Sequence, residues 1–255
     1  MSTQQPKQLK VLLVGDACED TYTYGSVDRL SPEAPVPVFV PHSEIIKDGM
    51  ASNVSKNLQA LGCAVDFYFT DVCKKERLID QRSKQQLLRI DQDVQSRPML
   101  NLFVEKQQLD TYDAVVISDY NKGTVDYMLI EWLRNTFLGP IFVDTKKTDL
   151  ARLNGCYVKI NELERGRATS LPDPEYLIVT YGDRGVAWNG FCYGAKTVEV
   201  ADVCGAGDTF LSALAYKYLN TNSIPEAVNF AINASAVTVQ HIGVYAPRLD
   251  QIQGE

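Results

Sequence analysis

The sequence predicts an α/β fold: a mainly parallel sheet covered by helices on both faces, with a small β lid standing off it. Three observations predict this. Short apolar runs alternate with segments of helical period along most of the chain, the order that builds parallel sheets. Two extended segments, about 21–46 and 77–91, interrupt that alternation with prolines or with charge. The chain has 255 residues, 45% of them hydrophobic, so one large core can form and residues 1–255 are read as a single domain.

The elements follow in order. LKVLLV (9–14) is short and apolar throughout, which suits a buried strand. VSKNLQALG (54–62) places Val54, Leu58 and Leu61 on one helical face and stops at a glycine. AVDFYF (64–69), DAVVIS (113–118), PIFVD (140–144), YVKI (157–160) and YLIVT (176–180) read as further strands, with a helix at VDYMLIEWLRNTF (125–137) between two of them. GVAWNGFCYG (185–194) is two short runs around Asn189-Gly190, a hairpin signal. TFLSALAYKYL and IPEAVNFAINASAVTVQHI are helical. The interrupting segments are TYTYGSVDRLSPEAPVPVFVPHSEII (21–46), too rich in proline for helix, and RLIDQRSKQQLLRID (77–91), polar and basic with strand character. Extended elements projecting over the carboxyl edge of a parallel sheet suit a substrate lid.

Net charge is −7 and the sequence pI is about 5.0, which argues against nucleic acid or an anionic membrane as partner. No apolar stretch approaches the roughly 18 residues a membrane span needs. The opening MSTQQPKQLKVLLVG lacks a signal-peptide apolar region of sufficient length. Six cysteines without a CxxC pair, and only two histidines, His42 and His241, make a zinc site a poor fit. The expectation is reduced thiols and a cytoplasmic protein.

The chemistry concentrates in DVCGAGDTF (202–210), which runs directly into an apolar helix. Glycines let a backbone approach a ligand, and the first turn of a helix offers free N–H groups. Gly205, Ala206 and Gly207 therefore form a candidate anion cradle. Asp208 adds a negative charge beside it, which makes sense if the carboxylate takes a proton from an attacking hydroxyl during phosphoryl transfer. An ordinary Gly-rich turn, with Asp208 placed in a first helical turn, is the other reading of the same residues.

DVCGAGDTF resembles the C-terminal signature of the ribokinase-like (pfkB-type) carbohydrate kinases, and four more stretches fall in that family's order. GDACEDTYTYG (15–25) is similar to the first-strand motif that offers acidic groups to sugar hydroxyls. DGMASNVSKNLQALG (48–62) is similar to the GGxxxN-type substrate motif. NELE (161–164) is similar to the NxxE motif near the phosphates and magnesium. VTYGDRG (179–185) is similar to the strand and turn whose backbone passes the nucleotide. The resemblance covers essentially the whole chain and implies a three-layer ribokinase-like sandwich. DRLSPEAPVPV, ISDYNKG and RSKQQLLRID narrow it to the branch that phosphorylates C1 of D-glycero-D-manno-heptose 7-phosphate on the route to the ADP-heptose of lipopolysaccharide. That branch is often fused to a nucleotidyltransferase; this chain would be the kinase half alone. A kinase of another sugar or sugar phosphate, and a binding homologue without turnover, are the alternatives.

The resemblance implies the roles. Asp208 would be the base, and the amides of Gly205, Ala206 and Gly207 would stabilise the migrating phosphoryl charge. Asp16, Asp20, Gly49 and Asn53 would meet the sugar, and Arg82, Lys84, Arg89 and Lys122 its phosphate. ATP would lie along Lys146, Asn161, Glu164, Thr180, Gly182 and Asn233, with Mg²⁺ met by Glu164 through water. Each assignment has a plainer alternative. Asn161 and Glu164 could simply start a helix, Asp16 could cap a turn, and the basic residues could form a solvated strand face.

The sequence also departs from the family. Met50 replaces the second of the paired glycines, which bears on the sugar's identity. Cys204 replaces the usual threonine, which argues against carrying over the monovalent-cation site. After AVDFYFTDV the family continues with a helix and a strand, whereas here only Cys73–Glu76 precede the basic segment. A parallel crossover needs about a dozen residues, so one βα unit is deleted after residue 72. The sheet edge left bare, and lid strands of the kind that pair between subunits, imply a homodimer.

Overall fold

Strand β1 (Lys10–Gly15) explains why the sheet is a middle layer. Its side chains alternate between two faces, yet Val11, Leu12, Leu13 and Val14 are all fully buried. A strand that is apolar on both faces needs cover on both. The computed structural model describes residues 8–100 and 109–253, and it supplies that cover.

Around β1 lie β4 (Ala64–Tyr68), β7 (Ala114–Asp119), β8 (Ile141–Thr145), β9 (Tyr157–Asn161) and β10 (Leu177–Thr180), all parallel. The hairpin β11 (Val186–Trp188) and β12 (Phe191–Tyr193) closes one end antiparallel, giving the order β12-β11-β10-β9-β8-β7-β1-β4. Its turn holds Asn189 at φ 46° and Gly190 at φ 80°, the paired positive angles that an Asn-Gly turn tolerates and that match strand twist.

Helices α1 (Ala51–Ala60), α4 (Ala206–Thr221) and α5 (Ile224–Thr238) cover one face, packing Val54, Leu58, Leu211, Leu214 and Val228 on Val11 and Leu13. On the other face α2 (Tyr127–Thr136) packs Leu129, Ile130 and Leu133 with Leu12 and Val14. Each such fully buried leucine contributes about 1.5–3 kcal/mol relative to exposure. The Asp126 carboxylate caps α2 by accepting the Leu129 N–H at 2.8 Å, which sets the start of a helix two residues inside the predicted segment. Two shorter helices among the described residues are α3 (Glu162–Arg167) and α6 (Leu249–Gln253). Among the described residues no helix is long and apolar enough to cross a membrane.

The two interrupting segments form one four-stranded sheet of order β3-β2-β5-β6. Its strands are β2 (Ala17–Leu30), β3 (Pro37–Met50), β5 (Val72–Asp80) and β6 (Gln86–Gln92), so they start closer to the body than the predicted 21–46 and 77–91. Only Asp16 separates β1 from β2, and only residues 69–71 separate β4 from β5. β4 is the end strand of the large sheet, and no other described strand pairs with its outer edge. The chain leaves that edge directly for the lid, where β5 runs parallel to β2. This is the geometry of the deleted unit: no helix and no further strand intervene. Ile45, Ile46, Leu87 and Leu88 remain exposed on the lid, as do Phe69 and Val72 at its root.

Candidate active site

The parallel strands end along one edge, and the residue at or just past each strand end carries chemistry. Asp16 follows β1, Tyr120 follows β7, Lys146 follows β8, Asn161 ends β9 and Thr180 ends β10. Ligands of open α/β sheets bind at this carboxyl edge. Helix α4 points its N-terminus at the same place.

Gly205 caps α4 at φ 77°, and a Cβ there would lie 2.8 Å from the Asn53 amide nitrogen. Only glycine suits both the angle and the approach. Asp208, in the first turn, is buried. One carboxylate oxygen accepts from Asn53 Nδ2 at 2.8 Å and the other from the Tyr120 hydroxyl at 3.0 Å. Burial pushes its carboxyl up to about 6, against the pull of the Asn53 hydrogen bond. The group is thus ionised at neutral pH yet close to the range in which a carboxylate takes and returns protons. Tyr120 is driven the opposite way from reactivity: burial and the neighbouring Asp208 raise its phenol well above the ordinary range, so it serves as a donor.

The cradle differs from expectation at one residue. The Ala206 N–H donates to the Val203 carbonyl at 3.3 Å, so it closes a turn. The first-turn amides of Gly207 and Asp208 have no intrahelical carbonyl to reach and are the ones available to an anion.

NELE is a capping box. Asn161 Oδ1 accepts the Glu164 N–H at 2.9 Å, and Glu164 Oε2 accepts the Asn161 N–H at 2.8 Å. The plainer reading of this pair, a helix start, therefore describes both residues structurally. Glu164 Oε1 also pairs with Lys146, whose ammonium lies 5.3 Å from the Tyr120 ring centroid. Beside them Lys159 and Asp144, both buried, form an ion pair at 2.6 Å. The strand readings YVKI and PIFVD contained these two charges without using them. A lysine and an aspartate inside apolar strands were the available signal.

A cavity of about 710 Å³ opens between β10, the loop 195–203, α4 and α5. Thr180 and Gly182 line it, with Val198, Val200, Phe210 and Ile232 as apolar wall and Gly207 also in its lining. Asn233 does not line it. From α5 the wall is Ile232, Ser235, Ala236 and Val239, the i, i+3, i+4, i+7 stripe, and Asn233 is off that stripe. The cavity fits a flat apolar group with a phosphate tail reaching the α4 N-terminus. Among the described residues no group of three or more His, Cys, Asp or Glu stands ready to ligate a metal. A divalent ion held by substrate phosphates, with Glu164 as an outer partner, fits this donor set, because Mg²⁺ keeps most of its water.

On the sugar side, Asn53 faces Asp208 directly. Asp16 is committed: its carboxylate accepts the backbone N–H groups of Tyr120 at 2.8 Å, Lys122 at 3.0 Å and Thr124 at 3.3 Å. It staples a loop, much as the capping alternative implied. Asp20 accepts from Arg77 Nη1 at 2.7 Å, and a Cβ on Gly49 would fall 2.4 Å from its other oxygen. Met50 sits at φ 54° but is buried with Cys18 and Cys73 against Tyr120, so its side chain packs beneath the lid root. All six cysteines are free.

The four basic residues separate. Arg89 lies opposite Arg77 in the β5–β6 ladder, near the site, and pairs with Asp91. Lys122 pairs with Asp93 at 2.5 Å. Arg82 and Lys84 do not approach the site. They occupy the β5–β6 turn at the lid tip, where Arg82 pairs with Asp28 at 3.3 Å. At about 3.3 Å per residue, Asp28 stands roughly 25 Å along β2 from Asp20. Arg77, at the start of the basic segment and not among its predicted site residues, is the cation that pairs with Asp20.

Residues 163–251 match the model of the pfkB family carbohydrate kinases. The bifunctional protein HldE of Campylobacter concisus is 30% identical over 303 aligned residues, covering 97% of this chain and 64% of the relative. The chain therefore spans about 64% of the length of that relative. The alignment is longer than the 255-residue chain itself, so it carries gaps in this sequence, as a deleted unit requires. Among solved structures, a carbohydrate kinase from Agrobacterium tumefaciens superposes with TM-score 0.72 at 18% identity, covering 97% of this chain and 96% of that one. Arabidopsis thaliana ribokinase complexed with ribose and ATP gives TM-score 0.69 at 14% identity over 97% and 98% of the two chains. Over nearly its whole length the chain has the fold of these solved sugar kinases, and across residues 163–251 its sequence is similar to the pfkB family carbohydrate kinases.

Proposed function

We propose that the chain is an ATP-dependent sugar kinase that phosphorylates C1 of D-glycero-D-manno-heptose 7-phosphate in the cytoplasm. The observation that carries the kinase reading is Asp208, a buried carboxylate in the first turn of α4, held by Asn53 and Tyr120 beside free helix amides. A nucleotide-binding module has no use for a base in that place. The acceptor is supported by DRLSPEAPVPV, ISDYNKG and RSKQQLLRID, and by similarity to relatives named HldE.

In this reading the sugar enters beneath the lid against Asn53, Asp20 and Gly49. Asp208 accepts the proton of the sugar hydroxyl as the hydroxyl oxygen bonds to the γ-phosphorus, and the bond from that phosphorus to the β–γ bridging oxygen breaks to release ADP. The Gly207 and Asp208 amides receive the negative charge of the transferring group. The base of ATP lies against Val198, Val200 and Ile232, with Thr180 and Gly182 along its path. Lys146 and Glu164 stand where the phosphates arrive, and Glu164 would hold Mg²⁺ through water. Bound Mg²⁺ supplies neutralisation of phosphate charge. Arg77 and Arg89, on the same lid face, meet the 7-phosphate.

The test is ATP consumption over a panel of phosphorylated and unphosphorylated sugars. Turnover with the heptose 7-phosphate is expected. Arg89→Met, which keeps the Arg77–Asp20 pair, should raise KM for the phosphosugar by about tenfold and leave KM for an unphosphorylated sugar nearly unchanged. No turnover with any sugar would defeat the kinase reading; equal loss on both substrates would defeat the phosphate assignment.

A further inference from the structure

The site contains a buried charge pair that the mechanism above does not use. Asp144 and Lys159 are direct register partners on the parallel strands β8 and β9, at the carboxyl edge. Lys159 is 4% exposed and Asp144 8%, and Nζ lies 2.6 Å from Oδ2. Such a pair contributes little to stability. Two well-packed apolar side chains would serve a buried ladder position as well or better.

Its position relative to α4 is the second observation. A Cβ on Gly207 would fall 2.9 Å from Lys159 Nζ and 4.0 Å from Asp144 Oδ2. The ammonium occupies the space a side chain at 207 would fill. In a helix, alanine is favoured over glycine by about 1 kcal/mol, so this contact gives glycine a reason. The ammonium therefore stands against the backbone whose N–H faces the anion site.

The groups acting on Asp208 come from every element around it. Asn53 on α1 and Tyr120 after β7 donate to its oxygens. Asp144 on β8 disfavours its ionisation and Lys159 on β9 favours it. Glu164 on α3 and Lys146 after β8 neutralise one another nearby. Burial opposes the charge on Lys159, but Asp144, Glu164 and Asp208 outweigh it and hold the ammonium above its ordinary range. The lysine is therefore a fixed cation at any pH the protein meets.

We propose that Lys159 is a positioning residue for phosphoryl transfer: its ammonium, oriented by Asp144, keeps the Gly207 side of the cradle positive and keeps Asp208 an anion ready to accept a proton. It acts through Gly207 and Asp208 rather than by touching substrate. The role rests on the kinase reading, but its electrostatic part can be measured without turnover.

The experiment compares Lys159→Met, Asp144→Asn and the double variant. The first readout is the Asp208 carboxyl titration in nucleotide-free protein, followed by carbon-13 NMR and assigned with Asp208→Asn. Lys159→Met should move that titration up by about one pH unit or more, the size of a lost opposite charge at close range. Asp144→Asn should move it down, and the double variant should return near the parent. The second readout is the kcat pH profile. Its acidic limb should follow the titration, and the plateau should fall at least about tenfold in Lys159→Met. A merely structural pair would give shifts of the same sign in both single variants, or none, and either result overturns the proposal. Asp144→Asn is nearly isosteric and keeps the lysine, so its downward shift tests the idea even if Lys159→Met fails to fold. A parent protein that consumes no ATP, yet shows opposite shifts, would defeat the kinase reading and leave the electrostatic assignment standing.

Discussion

Asp208→Asn should remove turnover and stabilise the fold, and the second effect follows from the same burial that readies the base. Burial pushes the Asp208 carboxyl up to about 6, about two pH units above an ordinary aspartate. Each unit corresponds to about 1.4 kcal/mol, so holding the carboxylate ionised at neutral pH costs on the order of 3 kcal/mol. The sign follows from proton counting. Between pH 4 and 6 the folded state binds more protons at this site than the unfolded state. Stability from this group is therefore full below about pH 4 and is lost as pH rises through 6. Asparagine carries no charge and keeps both partners, since its oxygen can accept from Asn53 and its amide can donate to the Tyr120 oxygen. Urea unfolding at pH 7.5 should show Asp208→Asn more stable by up to about 3 kcal/mol, with kcat lower by on the order of 10²-fold or more. Repeated near pH 4.5, most of the stability gain should vanish. A variant less stable than the parent at pH 7.5, or a difference that ignores pH, would refute the reasoning.

Two further outcomes are expected. Met50 combines a buried side chain with φ 54°. Because only glycine escapes the strain of about 1–3 kcal/mol at such an angle, Met50→Gly should unfold at higher urea than Met50→Ala, reversing the usual order; an alanine variant that is the more stable would contradict this. The exposed Ile45, Ile46, Leu87 and Leu88 on the lid, with the open edge of β4, imply an isologous dimer. Light scattering at micromolar concentration should give twice the 28.4 kDa chain mass, Ile46→Asp with Leu88→Asp should give the chain mass, and a monomeric parent would exclude it.

What the sequence disclosed, and what it hid, divides along physical lines. Apolar runs with turn residues between them were enough for β1, β7, β8, β9 and β10, because burial on both faces leaves little else such runs can be. Asn189-Gly190 named its own turn. The glycine-capped helix start that carries Asp208 was legible because glycine spacing before an apolar helix is a local signal. Distances set by the lid were not. Arg82, Lys84 and Arg89 look equivalent within one basic segment, yet strand rise carries the first two to the tip and leaves Arg89 beside Arg77. Tyr120 and Lys159 acquire meaning only when β7 and β9 are laid beside α4. Asn233 lies off the cavity by helix phase, a matter of one residue. The partners of Asp16 were hidden because they are backbone amides about a hundred residues away.

That last arrangement ties the lid to the chemistry mechanically. Asp16 is the sole residue between a strand of the body and the first strand of the lid, and its carbonyl also accepts the N–H of Ala51 at 3.0 Å, where the second lid strand returns. Its side chain grips the backbone of Tyr120, Lys122 and Thr124, and Tyr120 in turn holds Asp208. One residue thus joins the root of the lid, the return into α1 and, through Tyr120, the carboxylate of Asp208.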